Sequence, residues 1–146
     1  MAKFAQGKFV LRNREKYLGN GVPTYRSGWE FTFMKFCDEH PSIISWASES
    51  IRIPYRNPLT GKNTIYVPDF FIVYRDKNGK KHAEVVEVKP KNQTMRENVG
   101  KSRYNQEQYI LNMAKWEAAN KWCKQHKLRF RVVSEEDIFY QGKKRR

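Results

Sequence analysis

Apolar side chains first recur at helical spacing after Ser27, at Trp29, Phe33, Phe36 and Cys37. Ser27 and Glu30 have the S-x-x-E spacing of a capping box, which fixes a helix start. The dipeptide His40-Pro41 ends the pattern, because the residue before proline disfavours helical dihedral angles. The pattern predicts a first helix over residues 28–39.

Alternation of apolar and polar residues predicts strands in the middle of the chain. Ile51, Ile53 and Tyr55 alternate up to a turn that begins at Asn57-Pro58, and a short apolar run at 43–46 precedes them. Further strands are predicted over residues 65–74 and 82–89, and we expect these strands to form an antiparallel meander. A long helix over 103–126, a strand over 128–133 and a short helix from Ser134 to near Tyr140 complete the pattern.

This order of helix, strands, helix and strand predicts an α/β (α+β) domain with a central mixed β-sheet flanked by helices. At 146 residues the chain is long enough for one such domain. We expect a basic, loosely ordered arm over residues 1–26, the folded domain over 27–140 and a basic tail over 141–146.

The turn at residues 76–80, Asp-Lys-Asn-Gly-Lys, decides the register of two of the strands. A two-residue Asn-Gly turn would pair Asp69 with Val88 and place Asp69 and Glu87 on opposite faces. Aspartate at the first position of a type I turn with glycine last favours a three-residue loop with a glycine bulge. That register pairs Asp69 with Glu87, and Lys89 then shares their face.

Charge indicates the class of partner. The net charge is +14, of which residues 1–26 supply +5 and the last four residues +4. Basic arms of this kind bind nucleic acid through its phosphates, although they also serve as solubilising tails.

No apolar run approaches the ~20 residues that a membrane span requires. The first ten residues lack the apolar stretch of a signal peptide, so we expect an intracellular protein with no membrane partner.

Three ionisable residues stand out among the apolar strands. Asp69 follows Pro68 and opens one strand, while Glu87 and Lys89 close the next. An unpaired acid inside the apolar run around Glu87 is costly, so it needs a lysine or metal partner. Two carboxylates and a lysine at one edge of a sheet are what a divalent metal and an attacking water require to cut a phosphodiester. Glu84 lies an odd number of residues from Glu87 and is expected to be solvated on the other face.

Each of these residues has a simpler interpretation. Glu30 is explained as a capping acid alone, although capping and metal binding are compatible. Asp69 is explained as the start of a strand, and Lys89 as an ordinary ion-pair partner of Glu87.

The Pro-Asp and Glu-x-Lys pairs, in this order after a helix that carries Glu30, resemble the PD-(D/E)xK nuclease superfamily. The resemblance covers roughly residues 25–138. It is closest to the head completion nucleases of T4-like phages and to the amino-terminal endonuclease domain of Tn7-type transposases. The segments that carry it are 26–30 (Arg-Ser-Gly-Trp-Glu), Trp46, 53–55 (Ile-Pro-Tyr), 66–70 (Tyr-Val-Pro-Asp-Phe) and 86–90 (Val-Glu-Val-Lys-Pro).

The resemblance implies a restriction-endonuclease-like core and a catalytic set of Glu30, Asp69, Glu87 and Lys89. It implies that the three acids bind metal and that Lys89 orients or deprotonates the attacking water. The Val88 carbonyl, at the sheet edge, is a further candidate ligand. Mg²⁺ binds one or two carboxylates together with phosphate oxygens, and we expect Mn²⁺ to substitute for it.

Candidate DNA contacts are less sharply marked. Arg26, Lys91, Arg103 and Lys115 are candidates to flank the site and reach phosphates, although a solvated helix face is the better explanation of any one of the helical residues. Contacts to phosphates position a protein on DNA without specifying sequence. No recognition-helix pattern is present, so we expect cleavage without strong sequence specificity.

The leading hypothesis is a Mg²⁺-dependent deoxyribonuclease, an endonuclease by its resemblance, that acts on phage DNA during packaging or head maturation. The resemblance implies DNA as substrate, phage head or portal proteins as partners, and the host cytoplasm or the virion as location. One alternative is a non-catalytic basic DNA-binding or virion head protein, and another is a branched-DNA (Holliday junction) resolvase. The oligomeric state is left open.

Overall fold

The computed structural model describes residues 6–89 and 102–134. Two helices lie within these residues, α1 (Gly28–Glu39) and α2 (Arg103–Gln125). The strands are β1 (Gly7–Lys8), β2 (Thr24–Tyr25), β3 (Ile43–Ser48), β4 (Ile53–Arg56), β5 (Asn63–Tyr66), β6 (Phe70–Arg75), β7 (Lys81–Val88) and β8 (Arg129–Val133). A 3₁₀ turn over Arg14–Lys16 lies between β1 and β2.

Four strands form the central sheet, in the order β3-β6-β7-β8. β6 runs antiparallel to β3 and β7, whereas β8 runs parallel to β7. The predicted central mixed sheet is therefore confirmed. The parallel partner is reached through α2, which is the long crossover connection that parallel strands need.

Each face of the sheet is covered by one helix. On one face, Phe33, Met34 and Cys37 of α1 pack with residues of β6 and β7 such as Phe70 and Val86. On the other face, α2 packs with the β4–β5 hairpin through Trp116, Ala119, Ile53 and Tyr66. The sheet therefore lies between two apolar clusters, as predicted from the order of elements.

The described part of the segment before α1, residues 6–26, packs against the domain. Phe9 and Tyr17 are buried and pack against Trp46 in the core. Asp38, which is fully buried in α1, accepts hydrogen bonds from the backbone N–H groups of Arg12 at 3.0 Å and Asn13 at 3.1 Å. Hydrogen bonds to the Asp38 carboxylate and the packing of the Phe9 and Tyr17 rings thus attach residues 6–26 to the domain.

The predicted antiparallel meander is wrong. β4 and β5 form a separate two-stranded hairpin, and β6 pairs with β3 and not with β5. The strand predicted over residues 65–74 is two strands, since the chain leaves extended pairing at residues 67–69. Pro68 lacks a backbone N–H, which explains why the ladder does not continue through this segment.

Glu84 faces away from Glu87 but is not solvated, so that part of the prediction is wrong. The residue is 3% exposed, and its carboxylate accepts hydrogen bonds from the Tyr74 hydroxyl at 2.7 Å and from Arg131 Nε at 3.0 Å. These two donors compensate its burial. Both donors come from neighbouring strands, so the local sequence around Glu84 does not indicate them.

Apart from Ser134, the short helix predicted from Ser134 to near Tyr140 lies outside the described residues, as do the basic tail and Lys91. Within the described residues, neither helix is apolar enough over a sufficient length to cross a membrane.

Candidate active site

The turn between β6 and β7 sets the position of the two central carboxylates. Asp76 N–H donates to the Lys80 carbonyl at 2.9 Å, and Gly79 adopts a φ of +84°, as in a three-residue loop with a glycine bulge. In the resulting register Phe70 pairs with Val86. Asp69 and Glu87 are the next residues outward, so they lie opposite each other, as predicted.

Glu87 is held between two polar groups. It is 7% exposed, its Oε1 accepts a hydrogen bond from the Tyr66 hydroxyl at 2.7 Å, and its Oε2 lies 3.8 Å from Lys89 Nζ. Burial raises the pKa of Glu87, while Tyr66 and Lys89 act in the opposite direction. The sequence predicted a lysine or a metal as partner of this buried acid, and Lys89 provides the lysine.

Asp69 directly precedes β6, and one of its carboxylate oxygens accepts the Val88 N–H at 2.8 Å. Burial raises the pKa of Asp69 to about 8, and the nearby Glu87 carboxylate adds to this shift. Two acids on one buried face disfavour each other's ionised form. The pair is therefore prepared to accept a proton or a cation.

Glu30 approaches the pair from α1. Ser27 caps the helix through its hydroxyl, which accepts the Glu30 N–H at 3.1 Å, while Glu30 Oε1 accepts the N–H of Arg26 at 3.0 Å. The predicted capping box is thus present with one difference. The Glu30 carboxylate accepts the N–H of Arg26, the residue before the cap, and not the N–H of Ser27 itself. Burial raises the pKa of Glu30, and Lys89 opposes this shift.

Glu30 also raises the pKa of Asp69, so the two carboxylates lie within electrostatic range. Nevertheless, residues 6–89 and 102–134 contain no group of three or more His, Cys, Asp or Glu side chains that is arranged to hold a metal ion. The site is centred on the Asp69–Glu87 pair with Lys89 beside it. The roles of Glu30 and of the Val88 carbonyl as metal ligands stay predictions.

The predicted DNA contacts are distributed unevenly around this pair. Lys115 projects from α2 toward the site, with Nζ 5.7 Å from the centre of the Tyr66 ring. Burial and Lys89 lower the pKa of Lys115, whereas Glu87 raises it. This lysine therefore lies at the same site as the carboxylates.

Arg26 and Arg103 are placed differently. The Arg26 guanidinium forms an ion pair with Glu49, and its backbone contacts Glu30, so it lies beside the site. Arg103 is 91% exposed at the start of α2 and pairs with Glu107 at 3.1 Å. No contact in the described part of the chain joins Arg103 to the carboxylates, and its role in DNA binding stays a prediction.

Two residues of the site were not identified from the sequence. Tyr66 lies at the end of a strand whose partner and packing are set by distant residues. Glu49 has a φ of +52°, its N–H donates to the Asp69 carbonyl at 2.9 Å, and its side chain pairs with Arg26. Non-glycine residues with positive φ concentrate at functional sites, but a sequence does not display a dihedral angle.

Comparison with known proteins agrees with this geometry. Residues 40–135, more than half of the chain, match the family described as TnsA-like endonuclease N terminal. The chain is also 33% identical over 142 residues to the head completion nuclease of Enterobacteria phage T4, covering 90% of this chain and 92% of that protein. The chain belongs to the PD-(D/E)xK nuclease family.

In this nuclease the family match extends over Asp69, Glu87, Lys89 and Lys115, and it begins after Arg26 and Glu30. The carboxylate pair and its lysine therefore lie within the region that matches the family. The predicted restriction-endonuclease-like fold agrees with the mixed sheet and its two flanking helices.

A cavity of about 540 Å³ lies at the opposite end of β6, lined by residues that include Phe36, Tyr74 and Arg131. None of its lining residues is one of the predicted catalytic residues. The carboxylate pair thus lies away from this cavity, at the other end of β6.

Proposed function

We propose that this nuclease is a Mg²⁺-dependent deoxyribonuclease that hydrolyses phosphodiester bonds without strong sequence specificity. The observation that carries the proposal is the position of Asp69 opposite Glu87, with Lys89 Nζ 3.8 Å from Glu87 Oε2. Two carboxylates and a lysine in this arrangement provide oxygen ligands for a cation and a positive charge for a phosphate.

The donor set fits a hard divalent cation. Mg²⁺ prefers oxygen ligands and uses one or two carboxylates, leaving its remaining positions to water and substrate phosphate. One oxygen of Asp69 accepts the Val88 N–H and one oxygen of Glu87 accepts the Tyr66 hydroxyl, so the second oxygen of each is the candidate ligand. The raised pKa values of both acids reflect a burial cost that a bound dication offsets.

Asp69 and Glu87 would hold the metal, with Glu30 and the Val88 carbonyl as further candidate ligands. When bound, a divalent metal polarises the phosphoryl group and lowers the pKa of coordinated water. Mn²⁺ is expected to replace Mg²⁺, because carboxylates and water suit both ions.

Lys89 supplies the positive charge of the site. The Lys89 N–H donates to the Val133 carbonyl at 2.9 Å, which fixes its backbone against β8. Its side chain is 29% exposed, so the ammonium group is reachable by a DNA phosphate or by the attacking water. We assign it to orienting that water and offsetting negative charge on the phosphoryl oxygens.

DNA binding is assigned to basic residues around the carboxylates. Lys115 and Arg26 lie nearest the site, and Lys91 and Arg103 are further candidates. The net charge of +14 provides long-range attraction to phosphates. Since phosphate contacts carry no sequence information, this mode of binding predicts weak sequence preference.

The relative from phage T4 is named a head completion nuclease. With 33% identity over most of both chains, we propose the same role for this nuclease, acting on DNA during packaging or head maturation. Phage head or portal proteins are then its expected partners, and the infected host cytoplasm or the virion its expected location.

The proposal is tested with labelled linear, circular, single-stranded and branched DNA, each incubated with the protein and either Mg²⁺, Mn²⁺ or a chelator. Cleavage of circular DNA would establish endonuclease action, and preference for the branched substrate would favour a junction resolvase. We expect cleavage with either metal and none with the chelator. If no DNA form is cut with either metal, the protein acts without this chemistry and the proposal fails.

A further inference from the structure

We infer that Tyr66 is a positioning residue for Glu87, and that it fixes the orientation in which this carboxylate meets a metal. This inference rests on the proposed metal-dependent function. The Tyr66 hydroxyl donates to Glu87 Oε1 at 2.7 Å, while Oε2 is the oxygen that faces Lys89. The two oxygens of Glu87 therefore have different neighbours, because the Tyr66 hydroxyl binds one of them and leaves the other facing Lys89.

Tyr66 is well placed to hold this orientation because its own ring is fixed. The residue is 5% exposed and pairs with Ile53 across the β4–β5 hairpin. The Phe130 ring contacts the Tyr66 ring edge-on, with the two ring centres 6.5 Å apart, and Lys115 Nζ lies 5.7 Å from the centre of the Tyr66 ring. A hydroxyl on so constrained a ring has little freedom to leave its acceptor.

The β4–β5 hairpin lies outside the central sheet, but through Tyr66 it orients a carboxylate of that sheet. β4 and β5 make no ladder with the four central strands. They pack instead on α2 through Trp116 and Ala119, and this packing carries Tyr66 to Glu87. Hydrogen-bond partners of metal ligands commonly set ligand orientation, and their loss typically weakens metal binding 10–100-fold.

The same strand contains a matched contact that separates positioning from stability. Tyr74 donates to Glu84 at 2.7 Å, the same distance as Tyr66 to Glu87, and Glu84 is also buried on β7. Glu84 lies on the opposite face and is additionally bound by Arg131. Removing either hydroxyl deletes one phenol–carboxylate hydrogen bond, but only one of the two faces the proposed metal site.

The test compares Tyr66→Phe, Tyr74→Phe and wild type by calorimetric titration of the metal-free protein with Mn²⁺. The Mg²⁺ concentration for half-maximal DNA cleavage is a second readout, and circular dichroism checks the fold. We expect Tyr66→Phe to weaken Mn²⁺ binding about tenfold or more and to raise the Mg²⁺ requirement similarly. Tyr74→Phe is expected to leave both values unchanged.

Three outcomes would overturn the inference, and they differ in what else they affect. If Tyr66→Phe binds Mn²⁺ as wild type does, Tyr66 does not position the ligand, while the proposed function stands. If Tyr74→Phe weakens binding equally, the effect comes from the fold. If wild type binds no Mn²⁺ and needs no metal, the proposed function fails and this inference fails with it.

Discussion

Asp69 and Glu87 lie opposite each other at the end of the β6–β7 pair, so two acids share one face of the sheet. Burial, together with the nearby Glu87 carboxylate, raises the pKa of Asp69 to about 8. The folded state therefore resists ionisation of Asp69. This carboxyl lowers the stability of the fold once the pH exceeds the pKa that Asp69 has in the unfolded chain. The cost grows as the pH rises to about 8 and is absent below pH 4.

The first prediction concerns this pH dependence in metal-free protein. Asp69→Asn keeps an acceptor for the Val88 N–H but cannot ionise, so the stability of the variant relative to wild type should increase from about pH 4 to about pH 8. Urea unfolding at several pH values measures the difference. A difference that does not change with pH would show that Asp69 ionises normally in the folded protein.

The second prediction is that divalent metal reverses this cost. A ligand that binds only the folded state stabilises it by RT ln(1 + [L]/Kd), about 2.7 kcal/mol at a hundred times Kd. Mg²⁺ at pH 8 should therefore raise the thermal midpoint of wild type, and a chelator should remove the effect. Asp69→Asn should show little or no shift, and an equal shift in this variant would place the metal elsewhere.

The third prediction concerns the turn that sets the register. Gly79 has a φ of +84°, and a Cβ added there meets no atom within 4 Å, so Gly79→Ala introduces backbone strain without a clash. We expect a loss of about 1 kcal/mol in unfolding free energy. Lys80→Ala, an exposed change in the same turn, should stay within about 0.5 kcal/mol. Equal stabilities of the two variants in urea would contradict this account of the loop.

The fourth prediction concerns the attachment of the amino-terminal segment. Asp38→Ala removes the acceptor of the Arg12 and Asn13 N–H groups and should cost about 2–4 kcal/mol. The segment should also become more sensitive to trypsin at Arg12, Arg14 and Lys16. Glu39→Ala, at the exposed neighbouring position, is the control. Unchanged proteolysis in Asp38→Ala would mean that the aromatic contacts suffice to hold the segment.

Local signals in the sequence were sufficient for several elements. Ser27 before an apolar period defines α1, and the Asp76–Gly79 spacing defines the loop, because each of these residue types has a specific geometric role at its position. The opposition of Asp69 and Glu87 follows directly from that loop. These predictions succeeded because each depended on residues close together in the chain.

The failures all involve contacts between distant segments. Phe9 and Tyr17 are buried against Trp46, but the glycines around them give residues 1–26 the pattern of a loose arm. Glu84 was expected in solvent because of its odd spacing from Glu87, but its side chain is buried and bonded to Arg131, 47 residues away. Tyr66 was missed for the same reason, since nothing in its own strand indicates the approach of Glu87. Tertiary contacts of this kind override local pattern.

The measurement that tests the central claim most directly compares Lys89, which directly follows β7, with Lys81, the first residue of β7. Lys89 lies at the carboxylate end of the strand and Lys81 at its other end, and their even spacing places them on one face. Single-turnover cleavage and DNA binding are measured with Mg²⁺ for wild type, Lys89→Ala and Lys81→Ala. We expect Lys89→Ala to lose at least about 100-fold in cleavage rate while still binding DNA, and Lys81→Ala to cleave as wild type does. Cleavage by Lys89→Ala at the wild-type rate would contradict the assignment of this site.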